Sequence, residues 1–533
     1  MGDKDTLKDR VDELLINPDA ITRVEVFDER TGSCHSIDNV DGKRMSLQIY
    51  AAITDNESRI TPEAARRGLD IYGEELRTDA ARIRGKHTSI DFLENVAACD
   101  VPVRSHVITP YSAKPIPRHV REAMPDITRK FGTPIHVYDE DGIRNTCRNF
   151  NQAFSWVPGG FKNFFAVKAC PNPVLMEIII EEGMGADCSS APELTLAKAV
   201  GMTGEDMMFT SNDTPDSEFQ YARRVGAIMN LDDITHIAAL ERAKGGLPDL
   251  LCFRYTGEGK NSIIGNVEER KYGLTREQIF EAYRIAKEKG VKRFGLHTMM
   301  ASNERDAKKL LKQAEIMFKL ARELKEGLGI DLEFINLGGG VGTPYKPWDR
   351  EVDMAALGES IKKAYMRDMP TDNFPRIFME CGRAITGPHG WLLTSVRHVM
   401  SKLRDYVGVD ACMADLMRSG MYGAYHHITV LGKERADHHN VYDVVGSLCE
   451  NNDKFAVQRF LPEIIQGDLL AIHNSGAHGR EMCFNYNGKL RSGEVLVKDS
   501  RNFRLIRRPE TEGDYFATFD FPGSRYGFLA KKE

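Results

Sequence analysis

The chain has 533 residues, 28% charged and 41% hydrophobic, with a formal net charge of -6. This is the profile of a folded globular protein too long for one ordinary domain, so two or three domains are expected. No Lys/Arg block of the kind that tracks a phosphate backbone is present, and nucleic-acid binding is not expected.

The N-terminal Met1-Gly-Asp-Lys-Asp-Thr6 is too charged for a secretory signal, and no apolar run reaches membrane-spanning length. The ten cysteines are scattered from Cys34 to Cys483 without zinc-knuckle spacing, which fits free thiols in a reducing cytoplasm. Residues 1–110 carry no chemical motif and read as an N-terminal extension that packs on the body or helps it oligomerise. Amphipathic helices are predicted there over Met45–Thr54 and from Pro62, capped by Thr61, to Ile83.

From about Phe131 apolar strands alternate with helices. Gly132–Tyr138 reads as a turn and a strand. Strands are then predicted at Phe164–Val167, Gly185–Asp187, Met207–Thr210, Ala227–Asn230, Leu250–Tyr255, Arg293–His297, Leu332–Leu337 and Arg376–Glu380, each followed by a helical pattern except the last, which runs into Gly382-Arg-Ala. Eight such strands have the size of a (β/α)8 TIM barrel, here placed at 128–394, in which catalytic groups sit at the C-terminal strand ends. Lys168, Asp187, Asn212, Arg254, Ser302, Gly338–Gly340 and Glu380 all fall there. After Thr394 the alternation stops and short β-like segments follow, so 395–533 is expected to be a C-terminal all-β domain, with the 131–138 strand a candidate member of it.

Lys168 stands in the apolar run Asn163–Cys170, where burial would lower an amine's pKa and free it to form a Schiff base; the alternative is a strand-end lysine reaching to solvent. Leu337-Gly-Gly-Gly-Val-Gly342 follows the seventh strand, where backbone amides can converge on a phosphate, although a tight turn also explains three glycines. Glu380 ends the eighth strand and needs a cationic partner, either Arg383 or a protonated ring nitrogen. A Schiff-base lysine, a phosphate cradle and a carboxylate for a pyridinium together describe a site for pyridoxal 5'-phosphate. The doublets His426-His427 and His438-His439 are poor chelates, because adjacent strand residues point to opposite faces, and no metal site is expected.

From Phe131 to Ile506 the chain resembles the fold type III pyridoxal-phosphate decarboxylases, in particular their diaminopimelate decarboxylase branch. The matching stretches include Phe165-Ala-Val-Lys-Ala169, Asn336-Leu-Gly-Gly-Gly340, Glu380-Cys-Gly-Arg383, Asp415-Leu-Met-Arg418, Met421-Tyr-Gly-Ala-Tyr-His426, Ser447-Leu-Cys-Glu450, Gly476-Ala-His-Gly479 and Asn485-Tyr-Asn487. The resemblance implies a homodimer with active sites shared across the interface. It implies that Lys168 holds the cofactor, that Gly338, Gly339, Gly340 and Tyr486 bind its phosphate, and that Glu380 faces its ring nitrogen. Arg383, Arg418 and Tyr422 would hold a substrate carboxylate. Cys449 would protonate the carbanion and Glu450 would receive the distal amine, both from the partner subunit.

Several positions depart from that pattern. Met299 stands where a histidine usually stacks on the cofactor ring, leaving His297 two residues earlier on the same strand face. Cys381, His478 and Asn451-Asn452 replace a proline, a tyrosine and a Ser-Gly pair. The function implied is decarboxylation of a diamino acid, meso-diaminopimelate or a D- or L-basic amino acid such as D-lysine or D-ornithine, by imine formation, carbon dioxide loss and protonation. The alternatives are a racemase or epimerase on the same cofactor and a non-catalytic homologue that only binds it.

Overall fold

The computed structural model describes residues 6–243, 245–257, 265–369 and 374–520. Three assemblies of secondary structure follow one another along the chain.

The first is a four-stranded antiparallel sheet of β1 (Arg23–Asp28), β2 (Ser33–Asp38), β3 (Arg59–Ile60) and β4 (Val103–Ile108), in the order β2-β1-β4-β3. β1 alternates half-buried and buried residues, so Val24 and Val26 enter the core. Four helices pack with it, over Arg44–Ile53, Pro62–Tyr72, Glu74–Arg82 and Thr88–Ala97, around Leu47, Tyr50, Leu69 and Leu93. The single helix expected from Pro62 to Ile83 is therefore two. Gly73, at φ +84°, ends the first and caps the second, because a side chain rarely adopts that conformation. Besides the helices expected there, residues 6–110 thus hold a four-stranded sheet and a core of their own.

The chain then passes through β5 (Ile135–Asp139) into a closed barrel of eight parallel strands: β6 (Phe161–Ala166), β7 (Gly185–Cys188), β8 (Met207–Thr210), β9 (Ile228–Leu231), β10 (Leu250–Tyr255), β11 (Arg293–Thr298), β12 (Leu332–Asn336) and β13 (Arg376–Met379). Every predicted barrel strand is found. The lower interior is plugged by Phe164, Met208, Ile228, Cys252, Phe334 and Phe378; the Phe334 and Phe378 rings lie 4.5 Å apart. Gly295 has no side chain at this level because a Cβ would enter the Phe334 ring.

Two residues further along, on the same face, the interior turns polar on every barrel strand but β6. Phe164 gives way to Ala166, Gly185 to Asp187, Met208 to Thr210, Ile228 to Asn230, Cys252 to Arg254, Gly295 to His297, Phe334 to Asn336 and Phe378 to Glu380. That step from apolar plug to polar layer sets the floor of the site.

The third assembly is a mixed sheet with the path β18-β17-β15-β14-β5-β20-β21, formed by β14 (Gly390–Ser401), β15 (Asp405–Val409), β17 (Asn440–Val445), β18 (Lys454–Leu461), β20 (Gly493–Val497) and β21 (Phe503–Arg507); off this path β19 (Leu469–His473) pairs with β14, and β16 (Ile428–Val430) with β19. β5, which precedes the barrel in sequence, lies between β14 and β20 in this sheet.

Candidate active site

β6 stops at Ala166 and the chain makes one tight turn over Val167–Ala169 before Asn172 caps the next helix, with Pro173 at its start. Val167 and Ala169 are fully buried on either side, so Lys168 is directed into the barrel mouth. Gly382 lets this turn approach β13, since a Cβ there would lie 2.7 Å from that of Ala169.

The amine opens into a cavity of about 480 Å³ lined by Asp187, Arg254, His297, Met299, Ser302, Gly340, Glu380, Arg383 and His478, among others. Of the two readings of Lys168, burial in apolar packing is not met: its side chain is 53% exposed, at the mouth of a polar cavity. Asp187 Oδ2 lies 3.7 Å from its Nζ. Burial and the neighbouring Glu380 carboxylate push the Asp187 carboxyl up to about 7, against the pull of Lys168.

Glu380 is held by three side chains. His297 Nε2 lies 3.0 Å from Oε2, and the amides of Asn336 and Asn230 donate to Oε1 at 2.8 and 3.4 Å. Burial works against this carboxylate, but His297, Lys168 and Arg254 outweigh it and hold Glu380 below the usual range. Arg383, one of the two partners considered for Glu380 from sequence, does not take that place. Its guanidinium instead donates to Tyr345 Oη at 2.6 Å, and Arg418 donates to the same oxygen at 2.6 Å. Neither arginine has a carboxylate at ion-pair distance among the described residues.

The glycine turn closes the site on the side of β12. Gly338 and Gly340 have φ of +70° and +97°. A Cβ on Gly338 would strike the Thr298 carbonyl, and on Gly339 or Gly340 it would lie 2.6 Å from Glu380 O or 2.5 Å from Ala301 O. Only glycine fits this run. The Gly339 amide donates to Met299 Sδ at 3.2 Å, so the thioether lies against the turn. His478 reaches the cavity from the β-rich assembly, its amide bonded to Ala169 O; burial and the nearby Arg383, Arg418 and Lys168 drive its imidazole well below the ordinary value.

Seven of the sequence-predicted residues do not line this cavity within one chain: Gly338 and Gly339, in the turn before Gly340, Arg418, which lines a neighbouring cavity together with Tyr345, and Cys449, Glu450, Tyr422 and Tyr486. Cys449 is exposed and Glu450 half-buried in the turn between β17 and β18, where Glu450 accepts from the Asn452 amide. Tyr422 and Tyr486 are 64% and 53% exposed on the surface. Tyr345, Asn230 and Asn336 were not singled out from sequence; for the two asparagines the signal is their place two residues beyond an interior apolar residue.

Buried Asp187 Oδ1 and His297 Nδ1 have no hydrogen-bond partner among the described residues. Together with a lysine, a glycine-only cradle and an ionised Glu380, these groups fit pyridoxal phosphate. Residues 140–387 match the family model described as the pyridoxal-dependent decarboxylase, pyridoxal binding domain. Protein TabA of Pseudomonas amygdali pv. tabaci is 41% identical over 402 residues, 75% of this chain and 94% of that protein. The diaminopimelate decarboxylase of Methanothermobacter thermautotrophicus is 34% identical, covering 73% of this chain and 92% of the relative.

The chain belongs to the pyridoxal-dependent decarboxylases.

Among solved structures, the diaminopimelate decarboxylase from Helicobacter pylori complexed with L-lysine superposes with a TM-score of 0.67 at 25% identity, over 74% of this chain and 98% of that one. The decarboxylase is thus a carboxy-lyase that uses pyridoxal phosphate. Outside this match, residues 8–107 fit a second family model, described as an uncharacterized protein conserved in bacteria (DUF2322). No helix among the described residues is long and apolar enough to cross a membrane.

Proposed function

We propose that the decarboxylase acts on a diamino acid, with meso-diaminopimelate the leading substrate and D-lysine or D-ornithine next. The observation that carries this reading is the pair Arg383 and Arg418, two guanidiniums on one phenol oxygen with no carboxylate among the described residues at ion-pair distance. A binding charge placed on the carboxylate that must leave would stabilise the ground state and oppose its loss. The pair is better suited to a second, non-reacting carboxylate, which diaminopimelate has and lysine lacks. The names of the relatives point the same way.

Bound pyridoxal phosphate supplies a carbonyl for the substrate amine and a ring that takes up the electron pair freed as carbon dioxide leaves. Lys168 would hold the cofactor and be displaced by substrate; Gly338, Gly339 and Gly340 would admit the phosphate, joined by Tyr486, with Ser302 and Met299 beside the ring. Glu380, oriented by His297 and Asn336, would keep a proton on the ring nitrogen. Asp187, with a carboxyl near neutrality, can exchange a proton with the Lys168 amine 3.7 Å away.

Cys449 gives the final proton and Glu450 receives the distal amine, each from a second copy of the chain, with Tyr422 near the substrate. The exposure of Cys449 and Tyr422 on the surface of one chain supports that arrangement. The homodimer is assigned to the cytoplasm, as its free cysteines suggest. The test is carbon dioxide release by purified enzyme with pyridoxal phosphate from D- and L-diamino acids; release from none of them would remove the reading.

A further inference from the structure

Between the N-terminal α/β unit and the β-rich assembly lies a second cavity, of about 420 Å³, separate from the barrel mouth. Its walls come from β4 of the first unit, from the loop after β16 and β18 of the third, and from Pro347 and Trp348 of a barrel loop. Trp348 belongs to the core of the N-terminal unit, so the cavity sits where all three parts meet.

The wall carries Arg23, Arg435 and Arg459 against Asp55, Glu434 and Asp437, and of these Arg459 is the buried charge. Arg459, only 7% exposed, lines it with its guanidinium 3.9 Å from the Tyr425 ring centroid. Nη1 donates to the His426 carbonyl at 3.1 Å, while Nε has no partner among the described residues. No carboxylate lies at ion-pair distance from Arg459 among the described residues.

The acids in the wall are already engaged: Asp55 with Arg59 at 3.2 Å, and Glu434 with Arg121 at 2.6 Å. Exposed Asp437 lies 3.7 Å from His439. Behind the wall two lysines are spent on main-chain carbonyls, Lys114 on Pro344 O at 2.7 Å and Lys346 on Thr54 O at 3.0 Å; burial pushes both down to about 8. A buried guanidinium without a counter-ion is costly, and low-dielectric surroundings strengthen its pull on an anion. His106, stacked on Phe460 with centroids 3.9 Å apart, also lines the cavity.

We propose that this interdomain cavity is a binding site for a small anionic metabolite, carrying a carboxylate or a phosphate, with Arg459 as its counter-ion. Its volume suits a small molecule. The site adjoins the catalytic groups through one layer of residues: His426, whose carbonyl Arg459 holds, packs its ring edge-on against Tyr345 at 5.3 Å, and Tyr345 carries Arg383 and Arg418. The inference does not depend on which amino acid is decarboxylated.

The test is calorimetric titration of the cofactor-saturated holoenzyme with inorganic phosphate and, separately, with succinate, at ionic strength held constant with sodium chloride. Loading the cofactor first keeps phosphate from its own cradle. One equivalent of at least one anion is expected to bind. Arg459→Met should weaken it tenfold or more, and so should Ala436→Trp, which fills the cavity mouth from an exposed position. Binding of phosphate alone assigns a phosphorylated ligand, and of succinate alone a dicarboxylate. Absence of binding by both anions, or binding undiminished in Ala436→Trp, would overturn the proposal. Should Arg459→Met fail to fold, the Ala436→Trp arm decides.

Discussion

His297 Nε2 lies 3.0 Å from Glu380 Oε2, and both side chains are buried at the barrel mouth. The histidine therefore serves the carboxylate from the strand position two residues before Met299. Glu380→Gln keeps the shape but removes the charge that would hold a proton on the cofactor ring. We expect kcat to fall by roughly 100-fold or more, in the range of a lost electrostatic contact at a reacting centre, with a changed visible spectrum of the bound cofactor. His297→Gln, which retains a donor, should cost less. Steady-state rates and absorbance of the two variants check the order.

Asp187 gives a pH signature. Its folded carboxyl stands near 7 against about 3.9 in the unfolded chain, so between those values the native state binds the extra proton and stability falls as pH rises. Glu380 is held low, so its contribution is present above the unfolded carboxylate pKa of about 4.3 and is lost only as pH falls through its lower folded value. The windows are separate. Asp187→Asn in cofactor-free protein should remove the decline between pH 5 and 8, gaining on the order of 3 kcal/mol at the alkaline end. Urea midpoints at the two pH values check it.

Gly338→Ala would place a Cβ against the Thr298 carbonyl at a φ of +70°. Strain of about 1–3 kcal/mol from the backbone alone, with the clash added, should displace the turn. Cofactor retention through dialysis is expected to drop at least tenfold while the far-UV circular dichroism stays that of wild type.

Trp348 ties the barrel to the N-terminal unit, and its carbonyl accepts from the Asn17 amide at 2.8 Å. Trp348→Ala should cost about 3–5 kcal/mol of packing at this junction. Limited proteolysis should then cut near residue 110 and release the N-terminal unit before the barrel unfolds.

The eight barrel strands were legible because each is a short apolar run closed by a polar residue, and the glycine run and Glu380 announce themselves at strand ends. Less was visible where pattern fails. β2, Ser33–Asp38, is mostly exposed and shows no alternation, so the N-terminal sheet did not stand out, and Gly73 broke a helix whose periodicity continued past it. Tyr345 lies in an irregular loop 38 residues before Arg383 and 73 before Arg418; nothing local marks an oxygen whose partners are that distant. Lys168 shows the converse limit: an apolar neighbourhood in sequence became an open polar cavity, because its neighbours in space come from other strands.

The shared phenol makes Tyr345 the hinge of the substrate assignment. A hydrogen bond to a charged group contributes about 1.5–3 kcal/mol, so Tyr345→Phe should raise KM for diaminopimelate by roughly 10- to 100-fold and leave kcat within a few-fold. The most direct measurement of the central claim compares kcat/KM for carbon dioxide release from meso-diaminopimelate and from D-lysine, in wild type and in Arg418→Met. The account predicts that wild type favours diaminopimelate by at least tenfold and that Arg418→Met loses this preference while retaining turnover of D-lysine. Equal or greater activity of wild type on D-lysine, or a preference unchanged in Arg418→Met, would contradict it.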